Sequence, residues 1–460
     1  MAFYTTAAIC VVVYLLIPVL LYLLIPRDPT INPRKRAIVL VLGDIGRSPR
    51  MQYHVLSLLE TGFLVDFVGY TDTAPLQSIT DNPDVKIHEI KPAEKLGLPK
   101  GLPFIIVAVI KVLYLTKQLY QILRPLRNAE YLLVQNPPSL PTMFVCYVFT
   151  TFVSRRTRYV IDWHNFGYTV LGLKLGSEKN ILVQVNKWYE RWFGRYAFAH
   201  LCVTKLMATV LVRDFKVNAF RIIPLPDRPA IQFQPLSDEK KANLFSTNPI
   251  FDGFNPATDK LVITSTSYTP DEDLTVLLDA LSQYDSCSTV ETPLPKILTL
   301  VTGKGPLREQ FLKDVSTRSW SNVELRTAWL SAEDYPVVIG AADIGVSLHL
   351  STSGWDLPMK VVDMFGCGVP VLARDFPALS ELVVSNRNGL IFNNSDELSK
   401  HLIDIFTKPE LLRTIQKGAS VECSNRWNEM WRITAGPLFH IPNREDLTEV
   451  PSSESSDDEY

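Results

Sequence analysis

The sequence predicts two α/β units in series, each built on a parallel sheet, behind one N-terminal membrane-crossing helix. Three observations predict this. Apolar strand-like runs alternate with helix-like stretches along most of the chain, the pattern of a parallel sheet covered by helices. The alternation breaks once, from about Pro224 to Lys260, and then restarts, leaving each half long enough for its own core. Ahead of both halves, Ala7–Ile25 reads AAICVVVYLLIPVLLYLLI, a run without charge.

That run comes first. Its length, at about 1.5 Å rise per residue, nearly crosses a hydrocarbon core of roughly 30 Å. Pro18 interrupts it, which a membrane helix tolerates better than a soluble one. A cleaved signal peptide fits less well: no basic residue precedes the run and no small-residue cleavage site follows. Arg27, Arg34, Lys35 and Arg36 come after it, whereas MAFYTT before it carries no side-chain charge. The positive-inside bias then places a single-pass anchor over 1–36, with the body of the chain in the cytosol.

In the first half, residues 37–223, strands are predicted at Ala37–Leu42, Val65–Tyr70, Val85–Ile90, Tyr131–Gln135, Tyr159–Trp163 and Leu201–Thr204. An amphipathic stretch at Met51–Leu59 follows the first. Gly101–Leu123 is very apolar and reads either as a core helix or as one lying in a membrane interface, Lys111 and Lys117 toward headgroups. Residues 224–260, rich in Pro, Asn, Asp and Ser, read as a connection between the halves. In the second half, 261–440, strands are predicted at Leu261–Ser265, Ile297–Val301, Val323–Arg326, Ile344–Leu348 and Val369–Ala373, and the last helix is free to cross back to the first half. The end, 441–460, includes PSSESSDDEY, acidic and nearly without apolar residues, and is predicted to be disordered.

Composition narrows the chemistry. A net charge of −2 gives no global attraction to nucleic acid, so none is expected as a partner. The six cysteines are scattered and form no C-x-x-C pair, which argues against a zinc site or a disulfide scaffold. All six read as small apolar side chains inside the fold.

Four segments carry candidate chemistry. Gly43-Asp44-Ile45-Gly46-Arg47-Ser48 sits at a strand-to-helix turn, where glycines admit a ligand and a helix N-terminus favours negative charge. The G-x-x-G spacing lacks the usual dinucleotide turn, which weakens a dehydrogenase reading. Asp162-Trp163-His164-Asn165 ends a strand, where an Asp and a His can hold and move protons. Thr302-Gly303-Lys304-Gly305-Pro306 is a glycine-rich turn, with Lys304 either on a phosphate or in water. Finally, Ser351 to Pro370 holds a polar loop, a short helix and the next strand. There Asp356 reads as the N-cap with Pro358 in the first turn. Lys360 and Asp363 share a face, either as a surface ion pair or as a nucleotide clamp.

Taken together these residues resemble a known family. SGWDLPMKVVDMFGCGVPV is similar to the sugar-nucleotide helix of GT-B glycosyltransferases, and Ser265–Leu281 to the first loop and helix of their second lobe. Glu381-Leu382-Val383 with Asn388–Phe392, Leu42–His54 and Asp162–Tyr168 narrow the resemblance to the eukaryotic chitobiosyldiphosphodolichol β-mannosyltransferases, over about Ala37 to Trp431. The resemblance implies two Rossmann-like lobes facing a cleft. It implies an inverting transfer of β-1,4-mannose from GDP-mannose to the outer GlcNAc of GlcNAc2-diphosphodolichol, in lipid-linked oligosaccharide synthesis for N-glycosylation. It implies the endoplasmic reticulum membrane, with the catalytic body cytosolic, and assembly with other mannosyltransferases of that series. No metal is required by the fold; a divalent cation such as Mg2+ stays open, with no ligand set identified. The rivals are a GT-B enzyme with another donor or lipid acceptor, and an inactive scaffold relative.

For roles, His164 ranks first as the base and Asp44 second, with Asp162 placed to orient His164 or meet the acceptor. Lys360, Asp363, Asp356 and the Gly303–Lys304–Gly305 turn fall to the donor; Gly46 and Arg47 fall to the acceptor or a phosphate. Two departures stand out. Many relatives carry two glutamates eight positions apart; Asp363 matches the second and Trp355 takes the place of the first. The loop Ser267–Asp271 also lacks the Arg and Lys that relatives place there.

Overall fold

The computed structural model describes residues 34–440, apart from 97, 98, 100, 102 and 352. The predicted anchor over 7–25 and the acidic end over 441–460 lie outside the described residues.

The chain divides into two compact units. The first holds a seven-stranded parallel sheet: β1 (Arg36–Asp44), β2 (Leu64–Tyr70), β3 (Val85–Glu89), β4 (Tyr131–Asn136), β5 (Arg158–Trp163), β6 (Ala199–Cys202) and β7 (Ile222–Pro224). Their order is β3-β2-β1-β4-β5-β6-β7. The second holds six parallel strands: β8 (Lys260–Ser265), β9 (Ile297–Thr302), β10 (Val323–Ala328), β11 (Ile344–Ser347), β12 (Val371–Arg374) and β13 (Gly389–Phe392), in the order β10-β9-β8-β11-β12-β13. In each sheet the order reverses beside the first strand, between β1 and β4 and between β8 and β11. Such reversals open a crevice at the carboxyl ends of the strands, where open α/β sheets bind ligands.

Burial follows from the sequence. Ala37–Val41 and Leu261–Ile263 are fully covered, as strands with helices on both faces require. Helix Pro49–Glu60 begins with proline in its first turn, where the missing N–H costs nothing. The predicted strand Leu201–Thr204 lies two residues earlier because Thr204 has left the ladder; its hydroxyl accepts the amide of Met207 at 3.0 Å. The strand predicted from Val369 starts at Val371, since the Val369 amide still bonds Met364 of the preceding helix. β7 and β13 escaped prediction. β7 is three residues ending in proline, and β13 opens on a glycine whose Cβ would lie 2.1 Å from the Val371 carbonyl oxygen.

The unit boundaries interleave. Among the described residues the first unit is 34–202, 208–225 and 431–440; the second is 203–207 and 226–430. The stretch read as a connection therefore has its own place in the second unit from Pro226 onward. It contains helix Asp238–Thr247, capped by Ser237, and a Cβ on Gly366 would run into Pro229 and Phe233 at 2.6 and 2.7 Å. Glu381 accepts the amides of Lys205 and Leu206 at 2.7 and 2.8 Å, which ties 203–207 to the second unit. From Trp431 the chain belongs to the first unit again. There Trp431 stacks on Phe439 at 5.4 Å and Phe439 meets Tyr131 at 4.8 Å. Of the six cysteines expected inside, Cys146, Cys202, Cys367 and Cys423 are buried, Cys287 ends a helix and is exposed, and Cys10 lies outside the described residues.

Candidate active site

In the first unit Asp162, next to last in β5, is fully buried and gathers three partners. Arg50 grips it with two bonds, Nε to Oδ2 at 2.8 Å and Nη2 to Oδ1 at 2.9 Å. His54 Nε2 lies 3.1 Å from Oδ2 and His164 Nε2 lies 2.8 Å from it. Burial alone would raise the Asp162 pKa, but Arg50 and the two imidazoles outweigh it and hold the carboxyl well below the usual range. Arg50 and His54 come from one face of helix Pro49–Glu60, four residues apart.

The tautomer of His54 follows from its neighbours. Its Nδ1 accepts the indole N–H of Trp431 at 2.9 Å, so Nε2 carries the proton given to Asp162. Burial also lowers its pKa, against the pull of Asp162, keeping the ring neutral. His164 is the solvent-facing member, with 23 % of its side chain exposed. In the neutral ring, Nε2 donating to Asp162 leaves a lone pair on Nδ1.

The loop bearing His164 is pinned from behind. The His164 amide bonds the Asn136 carbonyl at 2.9 Å. Asn136 in turn donates to buried Glu190 at 3.0 Å, which accepts the Gly167 and Tyr168 amides at 2.8 and 3.0 Å at the start of helix Gly167–Leu175. Burial pushes the Glu190 carboxyl up to about 7 against those donors.

Asp44 forms a separate group. Its Oδ1 accepts the amides of Gly46 and Thr73, both at 3.2 Å, and Arg47 Nε lies 3.5 Å from Oδ2. A Cβ on Gly46 would lie 2.4 Å from the Thr73 carbonyl oxygen, so this glycine has a packing reason to be small. Arg47 extends into solvent with its Nε on Thr73 Oγ1 at 3.2 Å.

In the second unit Lys360, on helix Met359–Gly366, bonds buried Glu272 and reaches Ser267 Oγ at 3.4 Å. Glu272 also accepts Thr266 Oγ1 at 2.7 Å and the Ser267 amide at 2.6 Å, fixing the loop after β8. Asp363 does not pair with Lys360. Loss of water around it, and then nearby Asp227, push its pKa up to about 8 against Lys360. The turn after β9 is pressed on the same loop: a Cβ on Gly303 would lie 1.8 Å from the Thr266 carbonyl oxygen, and on Gly305 1.7 Å from that of Ser267. Lys304 lies over the Trp329 ring, 4.2 Å from its centroid.

Asp356 is not the helix N-cap; Pro358 holds that position. The Asp356 carboxylate is taken by the hydroxyls of Ser351 and Ser353, and its other oxygen lies 3.7 Å from His349. His349 stands between Asp356 and Asp271, the latter 3.4 Å away. Burial disfavours the charged ring, yet the two carboxylates prevail and its pKa is pushed up to about 9. The His349 bond, opposed by burial, brings Asp271 down to about 2.

Sequence reasoning missed Arg50, His54, Glu190, Glu272, His349 and Trp431. The one available signal was Arg50 with His54 four positions apart, at helical spacing.

A family model described as "Glycosyl transferase-like" matches residues 294–435. Among curated proteins, the chain is 46% identical to the chitobiosyldiphosphodolichol beta-mannosyltransferase of Yarrowia lipolytica, over 98% of each chain. It is 42% identical to the protein of that name from Candida albicans, over 93% of each chain. With that from Mus musculus it shares 37% identity, over 94% of this chain and 95% of the other. Among solved structures, sucrose-phosphate synthase from Thermosynechococcus elongatus aligns with a TM-score of 0.66 at 14% identity, covering 89% of this chain and 98% of the other. Anabaena HepE, in complex with UDP and glucose, aligns at 0.65 and 16% identity, over 89% and 100%. These structures carry the fold alone, two Rossmann-like parallel-sheet lobes of the GT-B type. By its whole-length identity to the curated relatives, the chain belongs to the chitobiosyldiphosphodolichol beta-mannosyltransferase family.

Proposed function

We propose that this chain transfers mannose from GDP-mannose to GlcNAc2-diphosphodolichol with inversion, at the cytosolic face of the endoplasmic reticulum membrane. The observation that carries the chemistry is the His164 imidazole held on an ionised, buried Asp162 at the carboxyl end of β5. In this reading the acceptor 4-hydroxyl bonds to the mannose anomeric carbon as the bond to the GDP oxygen breaks. The hydroxyl proton passes to His164 Nδ1, and Asp162 stabilises the imidazolium that forms, a contribution of about 10²–10⁴ in rate. GDP leaves with the electron pair of the broken bond.

Asp44 is the second candidate for the base. Its Oδ1 already holds two loop amides, which favours a role in shaping the loop. For the donor, Lys360 and the Gly303–Gly305 turn meet the diphosphate and Asp363 the ribose hydroxyls. A diphosphate at Lys360 must share it with Glu272. Asp356 supports this loop through Ser351 and Ser353. Ala7–Ile25 anchors the chain, and assembly with other mannosyltransferases of the series belongs to the same reading.

The test is transfer by the detergent-solubilised chain supplied with GDP-mannose and a GlcNAc2-diphospho-lipid, with UDP-sugars as controls. A β-linked monomannosyl product from GDP-mannose alone is expected. GDP binding without transfer would point to another acceptor, and neither binding nor transfer to a scaffold.

A further inference from the structure

One face of the first unit carries more apolar surface than a water-facing wall needs. Helix Ile181–Gly194 buries Val183, Glu190 and Gly194 on its inner side. Its outer side bears Ile181, Val185, Trp188 and Trp192, spaced to share a face, with 73%, 54%, 59% and 44% of each exposed. Trp188 and Trp192 stack at 5.9 Å, and Tyr196 continues the line 6.3 Å from Trp192. Helix Phe104–Leu123 repeats the arrangement. Leu119 and Leu123 are fully buried against the unit, while Ile106, Val109, Leu113 and Tyr120 point outward. Residues Ile106–Leu126, most of this helix and the short turn after it, are long and apolar enough to cross a membrane, and few of them are buried.

The two stripes lie on one side of the sheet. The connections from β3 to β4, β5 and β6 all step in the same direction along it, and right-handed crossovers then place their helices on one face. Helix Thr142–Val148 joins them: it packs against helix Phe104–Leu123, and its Tyr147 ring lies 4.5 Å from Tyr196 and 5.7 Å from Phe193. Contiguous exposed apolar surface of this kind marks an interaction site.

Charge and chain connection select the occupant. Between residues 95 and 161 there are nine Lys and Arg and a single acidic residue, Glu130, in a chain whose net charge is −2. Lys174, Lys179, Lys187 and Arg191 accompany the tryptophan stripe, with Glu178 among them and Lys187 Nζ over the Tyr168 ring at 4.9 Å. The apolar run Ala7–Ile25 ends eleven positions before β1 begins. Even fully extended, that length spans at most about 40 Å.

We propose that this face rests on an anionic lipid bilayer. Trp188 and Trp192 sit at headgroup level, the apolar stripes enter the acyl boundary, and the basic side chains meet lipid phosphates. This holds or fails independently of the reaction proposed above.

The test reconstitutes the full chain in phosphatidylcholine–phosphatidylserine vesicles, with and without brominated phosphatidylcholine, and reads tryptophan fluorescence. Residues 1–33 contain no tryptophan, so the anchor is silent. Bromolipid should dim the wild type and dim the Trp188→Phe/Trp192→Phe variant at least two-fold less, with unchanged circular dichroism. Lys187→Glu/Arg191→Glu should reduce quenching in phosphatidylserine vesicles. Equal quenching of wild type and double Phe variant would overturn the proposal. So would an unquenched wild type, whether the face stays in water or cross-links to a second copy.

Discussion

Replacing Asp162 by Asn removes the negative charge against which Arg50, His54 and His164 are all held. Breaking a buried ion pair from one side costs about 3–5 kcal/mol, so Asp162→Asn should unfold at clearly lower urea than wild type. Because the folded pKa of Asp162 is depressed, its stabilisation is present above the ordinary carboxylate pKa and is lost as pH falls through the folded value. Asp363 has the opposite sign. Its folded pKa of about 8 lies above the ordinary 3.8, so the native state keeps a proton that the unfolded chain releases. Stability therefore drains as pH rises between about 4 and 8, and Asp363→Asn should flatten that loss when urea midpoints at pH 5 and pH 8.5 are compared. At this scale the sequence showed the pieces, Asp162 with His164 at a strand end and Lys360 with Asp363 on a short helix. It could not show their partners. Arg50 and His54 are more than one hundred positions from Asp162, and Trp431 is 377 from His54. Only the folded sheet brings them together.

Among elements, the turn after β9 is the most constrained. Gly305→Ala would drive a methyl into the Ser267 carbonyl, and Gly303 adds a φ of +138° that other residues rarely adopt. Gly305→Ala should displace the loop bearing Ser267, destabilise the second unit by about 1–3 kcal/mol and weaken GDP binding measured by calorimetry several-fold. In the sequence this was a glycine-rich turn with Lys304 either on a phosphate or in water; in the fold its glycines let two loops touch. Long apolar strands such as β1, β8 and β9 were legible because burial on both faces leaves an unbroken hydrophobic run. β7 and β13 were not: β7 is three residues ending in proline, and β13 opens on a glycine pressed against the Val371 carbonyl. Helix Phe104–Leu123 read two ways in sequence because both its faces are apolar, one serving the core and the other exposed.

Across the whole molecule the interleaved course of the chain matters. The first unit is completed by residues from Trp431 onward, whose Trp431 and Phe439 are buried beside His54, Phe63 and Tyr131. A chain ending at Met430 should lose protection of the first unit in limited proteolysis while the second unit stays resistant; equal protection would show the return to be dispensable. The central claim, that His164 on Asp162 is the base of mannose transfer, meets its most direct test in His164→Ala. Its turnover and its GDP-mannose affinity would be measured side by side. The account predicts turnover lower by about 10²–10⁴ with affinity unchanged and the fold intact. Wild-type turnover in that variant would contradict it and leave Asp44 as the candidate.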